Sequence, residues 1–271
     1  MVAGELFRWL DWWLTQHPTV KGFHWIQHQT FGSAPSFLFS AVATYVSTVL
    51  CLWLFMRNRE PVGSLRLVTG LHNLFLLLLS LVMAVGCSLS ASRQMPNINW
   101  LFCFPPGTEP TGPVFFWCYV FYLSKIFEFS DTVFILLKKK PLTFLHVYHH
   151  AVVVVMCYLW LQHVQSLLVI ALVTNASVHT LMYTYYLCCS VGHAPKWKRM
   201  VTDCQILQFL FSIAVSTVLL WEHFSGGGMG CCGMKAWGFN AVFNVSLLIL
   251  FFNFHSKNYR GRSRHGNKKQ H

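Results

Sequence analysis

The sequence predicts an all-α membrane protein of seven transmembrane helices, and three observations predict it. Of its 271 residues, 55% are hydrophobic and only 10% charged, against about 25% charged in a typical soluble domain. Nearly every apolar run exceeds the roughly 18 residues at which a bilayer span becomes the default reading. The runs are continuously apolar, without the every-second-residue alternation of membrane-barrel strands, so helices that satisfy their own backbone groups are the spanning elements. A soluble enzyme, a disordered chain and a small disulfide scaffold are excluded on the same grounds.

Taken in order, residues 1–35 form a lumenal N-terminal segment. Leu6, Leu10, Trp13 and Leu14 recur at helical spacing with Trp9 and Trp12 beside them, which predicts a short helix lying in the membrane interface. Glu5 and Asp11 interrupt the run, so it lacks the apolar core of a signal peptide. The seven spans fall at about 36–56, 67–90, 113–137, 141–161, 165–190, 201–221 and 236–255. Together they make one membrane domain over 36–255, with no repeat and no second domain, followed by a basic tail over 256–271.

Orientation follows from the cations. Fifteen of the 20 Lys and Arg fall on one side: Arg57, Arg59, Arg66, Lys138, Lys139, Lys140, Lys196, Lys198, Arg199 and six in the tail. Four fall on the other, namely Arg8, Lys21, Arg93 and Lys235, and Lys125 lies inside a span. The positive-inside rule puts the tail in the cytosol and, after seven spans, the N-terminus in the lumen. The net charge of +12 is therefore a topology signal rather than a nucleic-acid footprint. Lys268 and Lys269 stand four and three places from the C-terminus and resemble the dilysine signal that returns membrane proteins to the endoplasmic reticulum. The ten cysteines contain no CxxC spacing. Cys103, Cys231 and Cys232 fall in lumenal segments, where disulfides persist, so one bridge from Cys103 to Cys231 or Cys232 is expected.

Polar residues inside spans carry the functional information, because an ionisable group at mid-bilayer costs about 2.5–3.5 kcal/mol even on a lenient scale. Span three holds Lys125, Glu128, Asp131 and Thr132, which lie roughly along one helix face. Lys125 and Glu128 read as a self-neutralising ion pair. Span four opens with His146, His149 and His150 on one turn, a grouping that a satisfied core histidine does not account for. Span five carries Asn175, His179, Met182 and Tyr183, with His179 about 12 residues, roughly 18 Å, from the cytosolic end. Span six adds Gln205 and Gln208. By the same rise Gln208, Asp131 and His149 lie about 9–12 Å deep, so one chamber open to the cytosol is expected, with His179 and Lys125 at its inner end.

These residues occur in order as Lys125-x-x-Glu128-x-x-Asp131-Thr132, His146-x-x-His149-His150, Asn175-x-x-x-His179-x-x-Met182-Tyr183-x-Tyr185-Tyr186 and Thr202-x-x-Gln205-x-x-Gln208. Together they resemble the signature boxes of the ELO family of very-long-chain fatty-acid elongases, over roughly residues 36–255. The resemblance implies a 3-ketoacyl-CoA synthase in the endoplasmic reticulum that condenses acyl-CoA with malonyl-CoA and releases CoA and CO2. It also implies a seven-helix fold in which six helices ring an acyl tunnel, with His149 as the acyl acceptor and His179 close by. No cofactor or metal is called for. The partners expected are the two CoA esters, membrane lipid, the reductases and dehydratase that complete the cycle, and a second copy in a homodimer.

The residues suit that chemistry. A neutral imidazole attacks a thioester, and the acyl-imidazole formed stays reactive toward a second nucleophile. Hydrocarbon surroundings disfavour an imidazolium. His146, His150 or His179 is available to stabilise an oxyanion or hold a proton, and Asn175, Gln205 and Gln208 compete for that role. Lys138, Lys139, Lys140, Lys196, Lys198 and Arg199 are placed to meet CoA phosphates, or only to set topology. Pro141 stands where family members favouring polyunsaturated chains often carry Gln, which points to saturated or monounsaturated chains. Two rival readings are a di-iron membrane desaturase or hydroxylase, whose sites need about eight histidines, and a seven-helix transporter or receptor.

Overall fold

The computed structural model describes residues 2–225 and 230–257, so Lys268 and Lys269 lie outside the described residues. The chain is helical throughout, apart from connecting loops and one isolated antiparallel bridge between His24 and Thr111. Helix α1 (Val2–Asp11) runs through a wider turn at Trp12–Gln16 into the short α2 (Pro18–Lys21). The long helices are α3 (Pro35–Met56), α4 (Arg66–Gln94), α7 (Phe144–Gln162), α8 (Leu168–Ser190), α9 (Lys198–Ser225) and α10 (Met234–His255). These six are long and apolar enough to cross a membrane. The protein is a multi-pass membrane protein.

The third expected span is not one unbroken helix. It is α5 (Pro113–Phe127) followed by α6 (Phe129–Leu137), two shorter helices that meet at Glu128. The Glu128 N–H still donates to the Ser124 carbonyl at 2.9 Å, while the Glu128 carbonyl accepts from Asp131 N–H three residues on, at 3.0 Å. The turn is thus tightened at the residue whose carboxylate folds back onto Lys125. Together the two pieces cover 25 residues, about 37 Å of helix, which still spans the roughly 30 Å hydrocarbon layer.

Local signals set the helix starts. Proline occupies the first turn of α3 and α5, where its missing N–H costs nothing. Thr143 caps α7 by accepting from His146 N–H, which fixes the turn carrying the histidines. Gly233 caps α10 at φ +73°, and a Cβ there would lie 2.4 Å from the Gln165 Cα, so the α7–α8 loop and the start of α10 approach at a glycine.

Six spans close into a ring, in the order α4, α8, α9, α10, α7, α5 and back to α4. Helix α3 stands outside it, against α6 and α7. Its outer residues Leu50, Trp53, Leu54 and Phe55 are exposed, as lipid-facing side chains are. One end of the ring carries Arg57, Arg59, Arg66, Lys138 to Lys140, Lys196, Lys198 and Arg199, and is called the basic end below.

The opposite end is covered by the N-terminal segment. Helix α1 exposes Leu6, Phe7 and Trp9, and the wider turn after it exposes Trp12 and Trp13, together the outward apolar face of an interfacial segment. It is moored by Asp11, whose carboxylate takes both Nε and Nη2 of Arg93 at 2.6 Å. Residues 25–33 are tied to the ring. Trp25 is buried, and the hydroxyls of Tyr119, Tyr122 and Tyr158 donate to the carbonyls of Phe31, Gly32 and Ser33 at 3.0–3.1 Å. A disulfide joins Cys103 to Cys231. Cys232, one residue on, is a free thiol whose Sγ meets the Pro105 carbonyl at 3.1 Å. Peptide mapping without reductant is expected to yield a Cys103–Cys231 cross-link and an alkylated Cys232. A dominant Cys103–Cys232 peptide would overturn this pairing.

Candidate active site

Inside the ring a narrow cavity of about 40 Å³ is walled by α5, α7, α8, α9 and α10. His149 lines it near the basic end, and Phe121 and Trp160 stack at 5.8 Å within its wall toward the disulfide end. His149 and Trp160 are 11 residues apart on one helix, roughly 16 Å along its axis. Between them the lining is mixed, with Val153, Met156, Ala171, Phe209, Phe243 and Leu247 beside the polar Thr174, Asn175, Gln208, Ser212, Asn240 and Asn244.

The histidine triplet divides its tasks. His149 lies nearly parallel to the Phe243 ring at 6.2 Å, and its Nδ1 is buried with no hydrogen-bond partner among the described residues. His150 is also buried with Nδ1 unpartnered, its ring 4.4 Å from His146 and 5.4 Å from His149. His146 turns away from the cavity, and its Nε2 meets the Thr132 hydroxyl at 2.9 Å. That hydroxyl also meets the Tyr45 hydroxyl at 3.0 Å. Among the described residues no group of three or more His, Cys, Asp or Glu side chains is arranged to hold a metal ion.

The remaining polar groups form two clusters behind the cavity rather than one open chamber. In the first, Lys125 Nζ donates to Glu128 Oε1 at 2.8 Å and lies 3.4 Å from His179 Nδ1. Lys125 also sits over the Phe121 ring, 4.4 Å from its centroid, and all three members are buried. In the second, the Asp131 carboxylate accepts from His72 Nε2 at 2.7 Å and from the Tyr183 hydroxyl at 2.8 Å. Of the residues singled out in the sequence, His149, Asn175 and Gln208 therefore line the cavity. Gln205 points elsewhere, its amide 3.6 Å from Met182 Sδ.

Neither Tyr45 nor His72, the partner of Asp131, is among the residues singled out in the sequence. Nor are the cavity-lining Ser212, Asn240 and Asn244. The last three had a signal, because Gln208 with Ser212 and Asn240 with Asn244 are polar pairs at i, i+4 on otherwise apolar spans. Of the cations, Lys138 Nζ donates to Thr69 Oγ1 at 2.9 Å, and Lys139 Nζ to the carbonyls of Arg57 and Arg59 at 3.4 and 2.7 Å. Lys196 lies in the α8–α9 loop, and Lys198 and Arg199 open α9; these two helices are walls of the cavity.

A ring of six spans around a slender cavity, with His149 of the histidine triplet lining it, defines a polytopic helical membrane protein with an internal site. The chain belongs to the GNS1/SUR4, or ELO, family, whose model matches residues 30–269. It is 30% identical over 287 residues to Fatty acid elongase 3-like of Arabidopsis thaliana, covering 98% of each chain. It is 34% identical over 254 residues to Fatty acid elongase A of Dictyostelium discoideum, covering 90% of this chain and 91% of that one. Fatty acid elongase 4 of Trypanosoma brucei brucei is 34% identical over 225 residues, or 80% of this chain and 82% of that one. This membership places the protein in fatty-acid elongation.

Proposed function

We propose that the protein is the condensing enzyme of elongation, joining a long acyl-CoA to malonyl-CoA in two steps through His149. In the first, the imidazole attacks the thioester carbonyl, the C–S bond breaks, and CoA leaves as its thiolate with the acyl group on the ring nitrogen. In the second, malonyl-CoA loses CO2, and the enolate so formed attacks the acyl carbon. The C–N bond breaks, which frees the imidazole and yields 3-ketoacyl-CoA. Decarboxylation supplies the carbanion, so the scheme calls for no cofactor.

One observation carries this reading: a buried imidazole nitrogen without a protein partner among the described residues, on a residue lining a cavity inside the ring that has packed aromatics at its far side. A polar atom with no partner inside the fold is left for a substrate. Asn175, whose Oδ1 is likewise buried and unpartnered, and Gln208 are the groups nearest in kind to orient the thioester. Lys196, Lys198 and Arg199 are assigned to the CoA phosphates. Lys138 and Lys139 already bridge other elements, and they and Lys140 are assigned elsewhere below. Endoplasmic-reticulum residence with a lumenal N-terminus, a preference for saturated or monounsaturated chains, a homodimer, and partnership with the reductases and dehydratase of the cycle belong to the same proposal.

The test is incubation of the purified protein with a long acyl-CoA alone. Release of up to one equivalent of CoA, with an acyl mass adduct on the peptide containing His149, is expected. If CoA appears only once malonyl-CoA is added, the two-step scheme gives way to direct condensation.

A further inference from the structure

Because α3 leans on α6 and α7 and not on α4, a second space opens outside the ring. It is a groove of about 850 Å³ between α3 and α4, floored by α6 and part of α5 and open at the side. Its walls are apolar, from Phe37 and Ala41 at one end to Leu52, Val68 and Leu136 at the other. Phe37 to Leu52 is 15 residues, roughly 22 Å of helix, longer than one leaflet's share of a hydrocarbon layer about 30 Å thick. The active-site cavity is lined by different residues, so this groove is not its continuation.

The basic end of the groove is framed by two lysines that reach opposite walls. Lys138 crosses to Thr69 on α4, and Lys139 crosses to the carbonyls of Arg57 and Arg59 just beyond α3. Arg66 opens α4 on the same rim, and Lys140 follows Lys139. Six cations thus meet there, and Glu60 is the one acidic residue in the segments 56–66 and 136–142 that carry them. Among the described residues none of the six makes an ion pair with a carboxylate. Burial, and then the neighbouring Lys140, push the Lys138 ammonium below its ordinary pKa. Positive-inside topology explains cations at this end of the molecule, but not their convergence on the mouth of an apolar slot.

We propose that the α3–α4 groove is a binding site for one anionic glycerophospholipid, an acyl chain lying along α3 and the headgroup phosphate taken by Arg57, Arg66 and Lys140. Each basic residue near an anionic headgroup adds about 1 kcal/mol of attraction, and the apolar walls hold the chain as they would any hydrocarbon. The site bears on the polar groups behind the cavity through two residues, of which His72 lines the groove and bonds Asp131. Tyr45 also lines the groove, and its hydroxyl meets Thr132, which meets His146. A lipid chain seated against Tyr45 supports the α3–α6 contact on which that hydrogen-bond chain depends.

The test is native mass spectrometry of the delipidated full chain in detergent, offered dioleoyl phosphatidylserine and dioleoyl phosphatidylcholine in equal amounts. One retained phosphatidylserine is expected at roughly tenfold preference or more, about 1.4 kcal/mol per decade. The variant Arg57→Gln/Arg66→Gln is expected to bring the preference within about twofold, and Ala41→Trp, which fills the slot, to lower retention of both lipids. Equal retention of the two lipids by the unaltered protein overturns the proposal. So does a preference that survives loss of both arginines, or displacement of phosphatidylserine by stoichiometric CoA, which would make the mouth a CoA site. None of these readouts involves turnover, so they stand apart from the condensation assay.

Discussion

Replacing His149 with alanine is expected to lower the rate of malonyl-CoA-dependent chain extension by about 10⁴-fold or more, the scale on which enzymes lose activity when a nucleophile is removed. Both half-reactions should fail together, since release of CoA from acyl-CoA and formation of 3-ketoacyl-CoA pass through the same ring nitrogen. His146→Ala should behave differently. Its imidazole is turned toward Thr132 and packs 4.4 Å from His150, so it acts as a positioning residue for the neighbouring rings. A loss of about 10²-fold is expected, at the lower end of what general acid–base groups contribute, with the His149 acyl adduct still detectable by mass. The contrast separates the roles where a triple substitution would not. A His149→Ala protein that is folded by thermal melt and retains a tenth of the extension rate would sink the acyl-histidine scheme, whatever His146→Ala does.

Different parts of this molecule were legible in the sequence for different physical reasons. The seven spans were readable because a bilayer imposes a length and a polarity on each helix separately, and the observed helices begin and end within about four residues of the expected spans. The break at Glu128 was not readable, because no proline or glycine marks it. The order of helices around the ring was also hidden, since it depends on contacts between distant segments. The resemblance implied six ringing helices without saying which one stands outside.

At the site, cost in hydrocarbon singled out the residues but not their partners. Asp131 was evident as an expensive group, yet the histidine that hydrogen-bonds it is 59 positions away. Tyr45 left no signal, because a tyrosine in an apolar run looks like any other aromatic until its hydroxyl is seen against Thr132. The common depth of Asp131, His149 and Gln208 was computed from helical rise and suggested one chamber. Rise fixes height but not azimuth, and the side chains face two separate clusters and a cavity. For the same reason spacing could not choose between Cys231 and Cys232, adjacent residues whose Cβ atoms point in different directions.

Lys125→Met is expected to be the most destabilising of the conservative-volume changes in the core. Lys125 and Glu128 are 0% and 1% exposed, and the ammonium's neighbours are Glu128 Oε1 at 2.8 Å, His179 Nδ1 at 3.4 Å and the Phe121 face. Removing one member of a buried pair leaves the other charge uncompensated, at a cost of about 3–5 kcal/mol, equivalent to on the order of 10 °C in the melting midpoint of a chain this size. Glu128 is the more exposed to that penalty, because its second oxygen already has no partner among the described residues. The double change Lys125→Met/Glu128→Gln removes both charges and should recover most of the loss, since a buried pair replaced by neutral groups of similar volume is often close to neutral in stability. If the single variant does not fold well enough to purify, the double variant still decides the matter by its own melting midpoint. Recovery of stability without recovery of extension activity would mean that the pair holds His179 for the reaction. Recovery of both would make it a device of folding alone. A double variant as unstable as the single one would show that the lysine and glutamate contribute through packing rather than through their charges.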